Sequence, residues 1–378
     1  MTRLASSARI PVTLITGFLG SGKTTLINAV LRNTAFSGTL VIVNEFGEVG
    51  VDHLLVGNAK DQVVLLESGC LCCAASGSLR DTLIDLFARQ ATNAVEPFTS
   101  IFVETSGLAH PGPLVATLIG DSSIRNRCRL AQVLTLADGI TGLNTLDKYP
   151  EARYQIAFAD RLAITKTDQA CKRATQELAD ALHALNPNAP LSFWNPSMPS
   201  EPLFANKSGN PSVPAWTRIS SWFSDPAATA SDTNTSRADA PGPFLTYVGG
   251  KMRHVLHRST YQRVRTHTLH FGRDPMSWDI YAAWTQTAMA RLGRKFLRCK
   301  GILHMNDGYF WVVQGVQGYF APPERLPVGG DEPPHGFLVC IVDSVPPEEL
   351  AAIAADIPGF PECSYSPALQ PSSGNGHA

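Results

Sequence analysis

The stretch Gly17-Phe-Leu-Gly20-Ser21-Gly22-Lys23-Thr24-Thr25 reads G-x-x-x-x-G-K-T directly after the apolar run Pro11-Val-Thr-Leu-Ile-Thr16. Those residue types at that spacing suit the binding of a polyphosphate. The glycines let successive backbone N–H groups turn inward, Lys23 supplies a point charge for the outer phosphates, and the Thr24 hydroxyl can ligate Mg²⁺. Leu26-Ile-Asn-Ala-Val-Leu31 follows with helical spacing, so a bound anion would also face a helix N-terminus. A chance match is the alternative, and the strand before with the helix after argues against it.

Other chemistry-bearing residues follow in order. Ile101-Phe-Val103 ends in Glu104, the position from which a carboxylate reaches Mg²⁺ or its water shell; Lys23 and Glu104 are therefore the catalytic candidates. A solvated loop carboxylate is the plainer reading of Glu104. Thr165-Lys166-Thr167-Asp168 resembles the [NT]-K-x-D guanine signature, in which the carboxylate accepts two hydrogen bonds from the base edge and the lysine stem covers the base. Thr165 stands where Asn is usual, and an exposed Lys/Asp turn is the alternative. Guanine is favoured over adenine, so the candidate GTP-binding set is Gly17, Gly20, Ser21, Gly22, Lys23, Thr24, Thr25, Thr165, Lys166 and Asp168.

Cys70-x-Cys72-Cys73 places three thiols within four positions. Thiolates so close can hold Zn²⁺ or another borderline or soft metal, leaving the fourth position to a distant residue, water or a partner. An incomplete site suits a metal that must leave again. A packed thiol cluster and a redox pair remain open. Glu45, Glu48 and Asp52 lie in a loop positioned to sense the outer phosphate, with Glu48 an extra metal ligand or switch carboxylate, or else a solvated charge. His267 and His270 point to opposite faces of a strand, and His254 and His257 could chelate together only on a helix, which is not clearly signalled there; both pairs read as structural or surface histidines.

The elements that must position these groups are legible as apolar runs. Thr39–Val43, Gln62–Leu66, Ile101–Val103, Arg129–Leu136 and Arg161–Ile164 read as strands, and the helical spacing at 79, 83, 86 and 87 places a helix over Ser78–Phe87. Strand–loop–helix alternation predicts an α/β P-loop NTPase fold, a mostly parallel doubly wound sheet. Ligands then bind beyond the carboxyl ends of the strands, where every polar loop named above lies. Residues 1–198 form this first domain. Residues 199–243, rich in Ser, Pro, Thr and Asp, read as a flexible linker; 244–370 read as a smaller α+β domain, and 371–378 as a disordered tail.

At 378 residues the chain has room for two cores, and 31 basic against 32 acidic side chains give a net charge of −1. Such a balance offers no field for nucleic acid or an anionic membrane, and no segment approaches the roughly 18 apolar residues of a span. A cytoplasmic protein is expected, with no nucleic-acid or membrane partner.

GFLGSGKTT, NEFGEVGVD, ESGCLCC, ETSGLAHP and TKTD in order, then RCKGIL and VVQGVQGYF, resemble the CobW-type P-loop GTPases, relatives of the GTPases that insert nickel into urease and hydrogenase. The resemblance implies Mg²⁺-dependent GTP hydrolysis coupled to delivery of zinc, or in some members cobalt or iron, to a metal-requiring client protein. It also implies that Cys70, Cys72 and Cys73 are the metal site. Two departures stand out: His110 replaces the usual Asp after Gly-Leu-Ala, which could alter Mg²⁺ or zinc coordination, and no His-rich storage tract is present. The expected mechanism is a switch in which GTP and Mg²⁺ order the 44–52 loop and fix the thiolates, and slow hydrolysis releases the metal. A regulatory or scaffold GTPase and an ATP-dependent enzyme are the rivals, and the oligomeric state, a homodimer among its options, is open.

Overall fold

A strand buried on both faces must lie inside a sheet covered on both sides, and Val12–Gly17 within β1 (Ile10–Gly17) are buried without a break. The computed structural model describes residues 9–43, 63–65, 74–204, 247–248, 251–252, 264–271, 274–326, 336–361 and 363–367. After β1 come α1 (Lys23–Leu31), β2 (Thr39–Val43), β3 (Val63–Leu65), α2 (Ala74–Ala91), β4 (Ser100–Glu104), α3 (Gly112–Gly120) and α4 (Ser122–Arg125). The unit continues with β5 (Cys128–Asp138), α5 (Gly142–Lys148), α6 (Pro150–Ala157), β6 (Arg161–Thr165), α7 (Lys172–Leu185) and β7 (Leu191–Phe193). The strands assemble in the order β3-β2-β4-β1-β5-β6-β7, and every pair is parallel.

Apolar spacing explains which helix covers which face. Leu79, Leu83 and Leu86 of α2 join Leu114 and Leu118 of α3 against Val12, Leu14 and Val103 on one side. Leu26, Ile27 and Val30 of α1 meet Ile15, Val41 and Leu134 on the other. Leu178, Leu182 and Leu185, spaced to share one face of α7, pack with Leu162 and Ile164. Each such side chain contributes about 1.5–3 kcal/mol when fully buried. A short 3₁₀ turn, Glu201–Leu203, then returns to this core: Leu203 and Phe204 are buried, and the Gln132 amide donates to the Leu203 carbonyl at 3.0 Å. Packing on the first sheet thus continues to Phe204; the stretch 205–243 and the tail 371–378 lie outside the described residues.

The second unit begins with a two-stranded antiparallel pair, β8 (Tyr247–Val248) and β9 (Lys251–Met252). It continues with β10 (Val264–Phe271), α8 (Trp278–Leu292), β11 (Phe296–His304), β12 (Phe310–Val316), β13 (Tyr319–Phe320), β14 (Glu324–Arg325), β15 (Phe337–Asp343), α9 (Pro347–Ala355) and β16 (Cys363–Pro367). These build an antiparallel sheet ordered β13-β12-β11-β15-β10-β16, with β14 added to β12. Period-two alternation sorts its faces. His267, Cys340 and Cys299 are register partners across β10, β15 and β11, and the two cysteines belong to the core that holds Trp284 of α8 and Leu350 of α9. His267 is buried and its Nε2 lies 3.4 Å from the Val345 carbonyl oxygen, while His270, on the opposite face of β10, is half-buried.

The other face of this sheet meets the first unit. Ile341 and Val316 join the same apolar cluster as Ala157 and Phe158. Alternation brings Arg298 and Lys300 of β11 onto that face together, where both bond Asp160, at 3.0 and 2.5 Å. Asp160 also accepts the Val133 N–H at 2.7 Å. Burial would raise this carboxyl's pKa, but the two cations and the amide outweigh it and hold it below the ordinary carboxylate value. Burial and the neighbouring Arg298 lower Lys300 to about 8, against the pull of Asp160.

Candidate functional site

In the parallel sheet all carboxyl ends share one edge, so the loops after β1, β4, β5 and β6 converge there. Gly17 closes β1 at φ 144, and a Cβ on it would stand 2.4 Å from the Leu136 carbonyl oxygen, so a side chain is excluded. Gly22 caps α1 in the left-handed region at φ 87, which glycine adopts without steric penalty. Between them Ser21 is buried, and its Oγ has no partner among the described residues. Lys23 is buried, its ammonium donating to the carbonyls of Gly17 at 2.9 Å and Phe18 at 3.2 Å. Thr24 Oγ1 donates to Glu104 Oε1 at 3.2 Å, while Gly20 and Thr25 are exposed.

Glu104 ends β4 and is 3% exposed, so it is no solvated loop carboxylate. The loop behind it is fixed by short bonds: Thr105 N–H donates to the Ile15 carbonyl at 3.0 Å and Thr105 Oγ1 to Thr16 Oγ1 at 2.8 Å. Gly107 then lies against the phosphate loop so closely that a Cβ would stand 2.7 Å from Leu19 N. From α6 the Gln155 amide donates to the carbonyls of Gly107 and Ala109, both at 3.0 Å. This residue was not found from the sequence, where the one signal is a polar side chain beside the apolar Ala152, Ile156 and Ala157.

The departure at His110 has a structural explanation. Its Nδ1 accepts the Gly112 N–H at 3.0 Å, and its ring packs against Tyr154 and Phe158 at 5.0 Å between centroids. Burial pushes the imidazole down to about 4, so it is neutral at pH 7.

At the end of β6 the Thr165 hydroxyl donates to the Ser21 carbonyl at 2.9 Å and the Ala137 carbonyl at 3.3 Å, tying the 165–168 loop to the glycine-rich loop after β1. Thr in place of Asn is thus accommodated by a direct hydroxyl bond. Lys166 takes a positive φ of 53, and its ammonium pairs with Asp138 Oδ2 at 2.6 Å. Burial opposes ionisation of Asp138, yet Lys166 and the N–H groups of Ile140 and Thr141 hold its carboxyl below the usual value. Asp168 is exposed beside them, and Asn195 at the end of β7 donates to Thr167 Oγ1 at 3.3 Å. The pairing of Asp138 with Lys166, 28 positions on, was not legible from the sequence.

Glu45, Glu48, Asp52, Cys70, Cys72, Cys73 and the His254/His257 pair lie outside the described residues. Their flanks are described. Val43 pairs with both Leu65 and Glu104, so the end of β3, five positions before Cys70 in the sequence, lies two strands from Glu104, about 10 Å at the usual strand spacing. Among the described residues no helix is long and apolar enough to cross a membrane.

Comparison with known proteins gives two family matches: the CobW/HypB/UreG nucleotide-binding domain over residues 11–193 and the cobalamin synthesis protein CobW C-terminal domain over residues 264–356. The chain is 37% identical over 182 residues to the zinc chaperone YjiA of Escherichia coli (strain K12), covering 48% of this chain and 56% of that protein. It is 34% identical over 212 residues to the zinc chaperone CobW of Pseudomonas aeruginosa, covering 47% and 55%. The chain therefore spans about half the length of these curated relatives. A zinc-regulated GTPase metalloprotein activator 1 of Schizosaccharomyces pombe is 28% identical over 350 residues, 87% of this chain and 79% of that one. Among solved structures, the crystal structure of Zn(II)-bound YjiA GTPase from E. coli aligns with a TM-score of 0.61 at 25% identity, over 92% of this chain and 99% of the other. With both units matched in sequence and in order, the chain belongs to the CobW/HypB/UreG family, with its nucleotide-binding domain followed by a CobW C-terminal domain.

Proposed function

We propose that the protein is a GTPase metallochaperone that binds zinc at Cys70, Cys72 and Cys73 and passes it to a metal-requiring client. The observation that carries this reading is the shared row of Leu65, Val43 and Glu104, which puts the end of β3, five positions before Cys70 in the sequence, on the same sheet edge as Glu104. The names of relatives as zinc chaperones and a zinc-regulated GTPase support the same assignment.

In the proposed site the 17–25 loop takes the phosphates, with Lys23 leaving its loop carbonyls for phosphate oxygens. Thr165 keeps the loop in place, and Asp168, with the stem of Lys166, selects guanine. The Thr24 hydroxyl and the buried Glu104 carboxylate are hard oxygen donors 3.2 Å apart, a pair that fits Mg²⁺. Bound there, Mg²⁺ would neutralise charge on the transferring phosphate. Turnover without a partner is expected to be slow, with a partner or the metal completing the site.

Nucleotide and zinc affinities are then reciprocally coupled. Zinc titration of the wild-type chain in the presence of GDP or a non-hydrolysable GTP analogue tests this directly. Different zinc affinities in the two states, lost together with zinc stoichiometry in Cys72→Ser, are expected. Equal affinities would overturn the delivery model and leave a nucleotide hydrolase; preferential hydrolysis of ATP would overturn the assignment to guanine.

A further inference from the structure

We propose that Gln155 is a positioning residue of the nucleotide site, acting through the backbone of Gly107–Ala109 on the spacing between the loop behind Glu104 and the phosphate loop. The proposal rests on the GTPase reading above.

Gln155 is 1% exposed on α6. A carboxamide in such a place costs desolvation that a methionine of similar size would avoid, unless its polar atoms are used. Both N–H groups are spent on one target, the carbonyls of Gly107 and Ala109, each at 3.0 Å. Its Oε1 is buried with no partner among the described residues, so nothing else there accounts for the amide's polarity.

The helix that carries Gln155 is itself anchored. The Gln155 main-chain carbonyl accepts the Thr135 hydroxyl of β5 at 2.9 Å, and the adjacent Tyr154 hydroxyl donates to Asp343 of the second unit at 2.6 Å. Gly107 also meets the backbone of Leu19 in the phosphate loop without room for a Cβ. The segment 107–109 is therefore bonded to a fixed amide and in direct contact with the loop that would carry the phosphates. Two residues upstream, Thr105 hangs from Thr16 of β1, so Glu104 and the phosphate loop share one frame. Release of the two carbonyls would let this segment drift relative to the phosphates, and a displacement of about 1 Å at a reacting centre can cost 100-fold in rate.

The test uses the full chain with Mg²⁺ and GTP, comparing wild type, Gln155→Met and Gln155→Glu. The methionine fills the same space without donors. Its expected signature is a kcat at least tenfold lower with KM for GTP within about twofold, because ground-state binding is left intact, in a chain that still unfolds cooperatively. In Gln155→Glu a protonated carboxyl can donate to one carbonyl and an ionised one to neither. Its kcat therefore falls as pH rises, relative to a wild type whose amide does not titrate. A folded Gln155→Met with kcat within twofold of wild type, or with KM raised in place of lowered kcat, overturns the proposal. Should Gln155→Met not fold, a Gln155→Glu pH profile parallel to wild type overturns it equally. A wild-type chain inert toward GTP refutes the GTPase reading and this proposal with it, whereas active wild type with indifferent variants refutes the proposal alone.

Discussion

Asp160→Asn removes one negative charge from the seam between the two sheets. The carboxylate is 5% exposed and lies 3.0 Å from Arg298 and 2.5 Å from Lys300, while Asn retains an oxygen for the Val133 N–H. What changes is chiefly the counter-charge of two buried cations. Removing one partner of a buried ion pair costs about 3–5 kcal/mol, because the remaining charge stays desolvated. At about 2–4 °C per kcal/mol, the unfolding midpoint falls by roughly 6–20 °C. Asp160 sits on the first unit and both cations on the second, so the loss is concentrated at the seam and unfolding separates into two transitions. Lys300→Met leaves Asp160 paired with Arg298 and costs less. Calorimetry and urea unfolding followed by tryptophan fluorescence measure both variants. A Asp160→Asn protein within about 1 kcal/mol of wild type, or one more stable than Lys300→Met, would refute the reasoning about desolvation.

Gly17→Ala places a Cβ 2.4 Å from the Leu136 carbonyl oxygen at a positive φ; GDP affinity is expected to fall at least tenfold, by fluorescence titration, while far-UV circular dichroism keeps its α/β signature. Thr165→Val deletes the hydroxyl bonds to Ser21 and Ala137 at nearly constant volume, and a loss of about 1–2 kcal/mol in stability with several-fold weaker GTP binding should appear in unfolding and titration. Burial lowers His110 to about 4 in the folded chain, below its ordinary value, so the unfolded chain binds the extra proton between those values. Stability from this group is full above about pH 6.5 and falls by up to ~3 kcal/mol as pH drops toward 4. Urea unfolding at pH 7 and 4.5 should show a smaller loss in His110→Asn than in wild type; equal losses would contradict the assignment.

Much of the site was legible because its signals are local. A phosphate loop needs glycines, a lysine and a hydroxyl within nine residues, and strand and helix periods on either side are read from neighbours in the chain. The same locality identified β2 from Thr39 to Val43 at its observed bounds, and the helix expected over Ser78–Phe87 lies within α2. Parallel order then followed from alternation, since parallel strands need crossovers and helices lie in the crossovers among the described residues.

The amino-acid order alone therefore determined the nucleotide-binding character of the first unit, the α/β and α+β classes of the two units and the presence of a three-thiol segment at 70–73. Tertiary structure decided which distant groups meet: Gln155 with Gly107, 48 positions away, Asp160 with Lys300, 140 away, and His110 with the rings of Tyr154 and Phe158. Such contacts are set by how whole sheets and helices stack. Burial then fixes their energetics, because the charge on Asp160 and the neutrality of His110 depend on desolvation and on partners brought by packing.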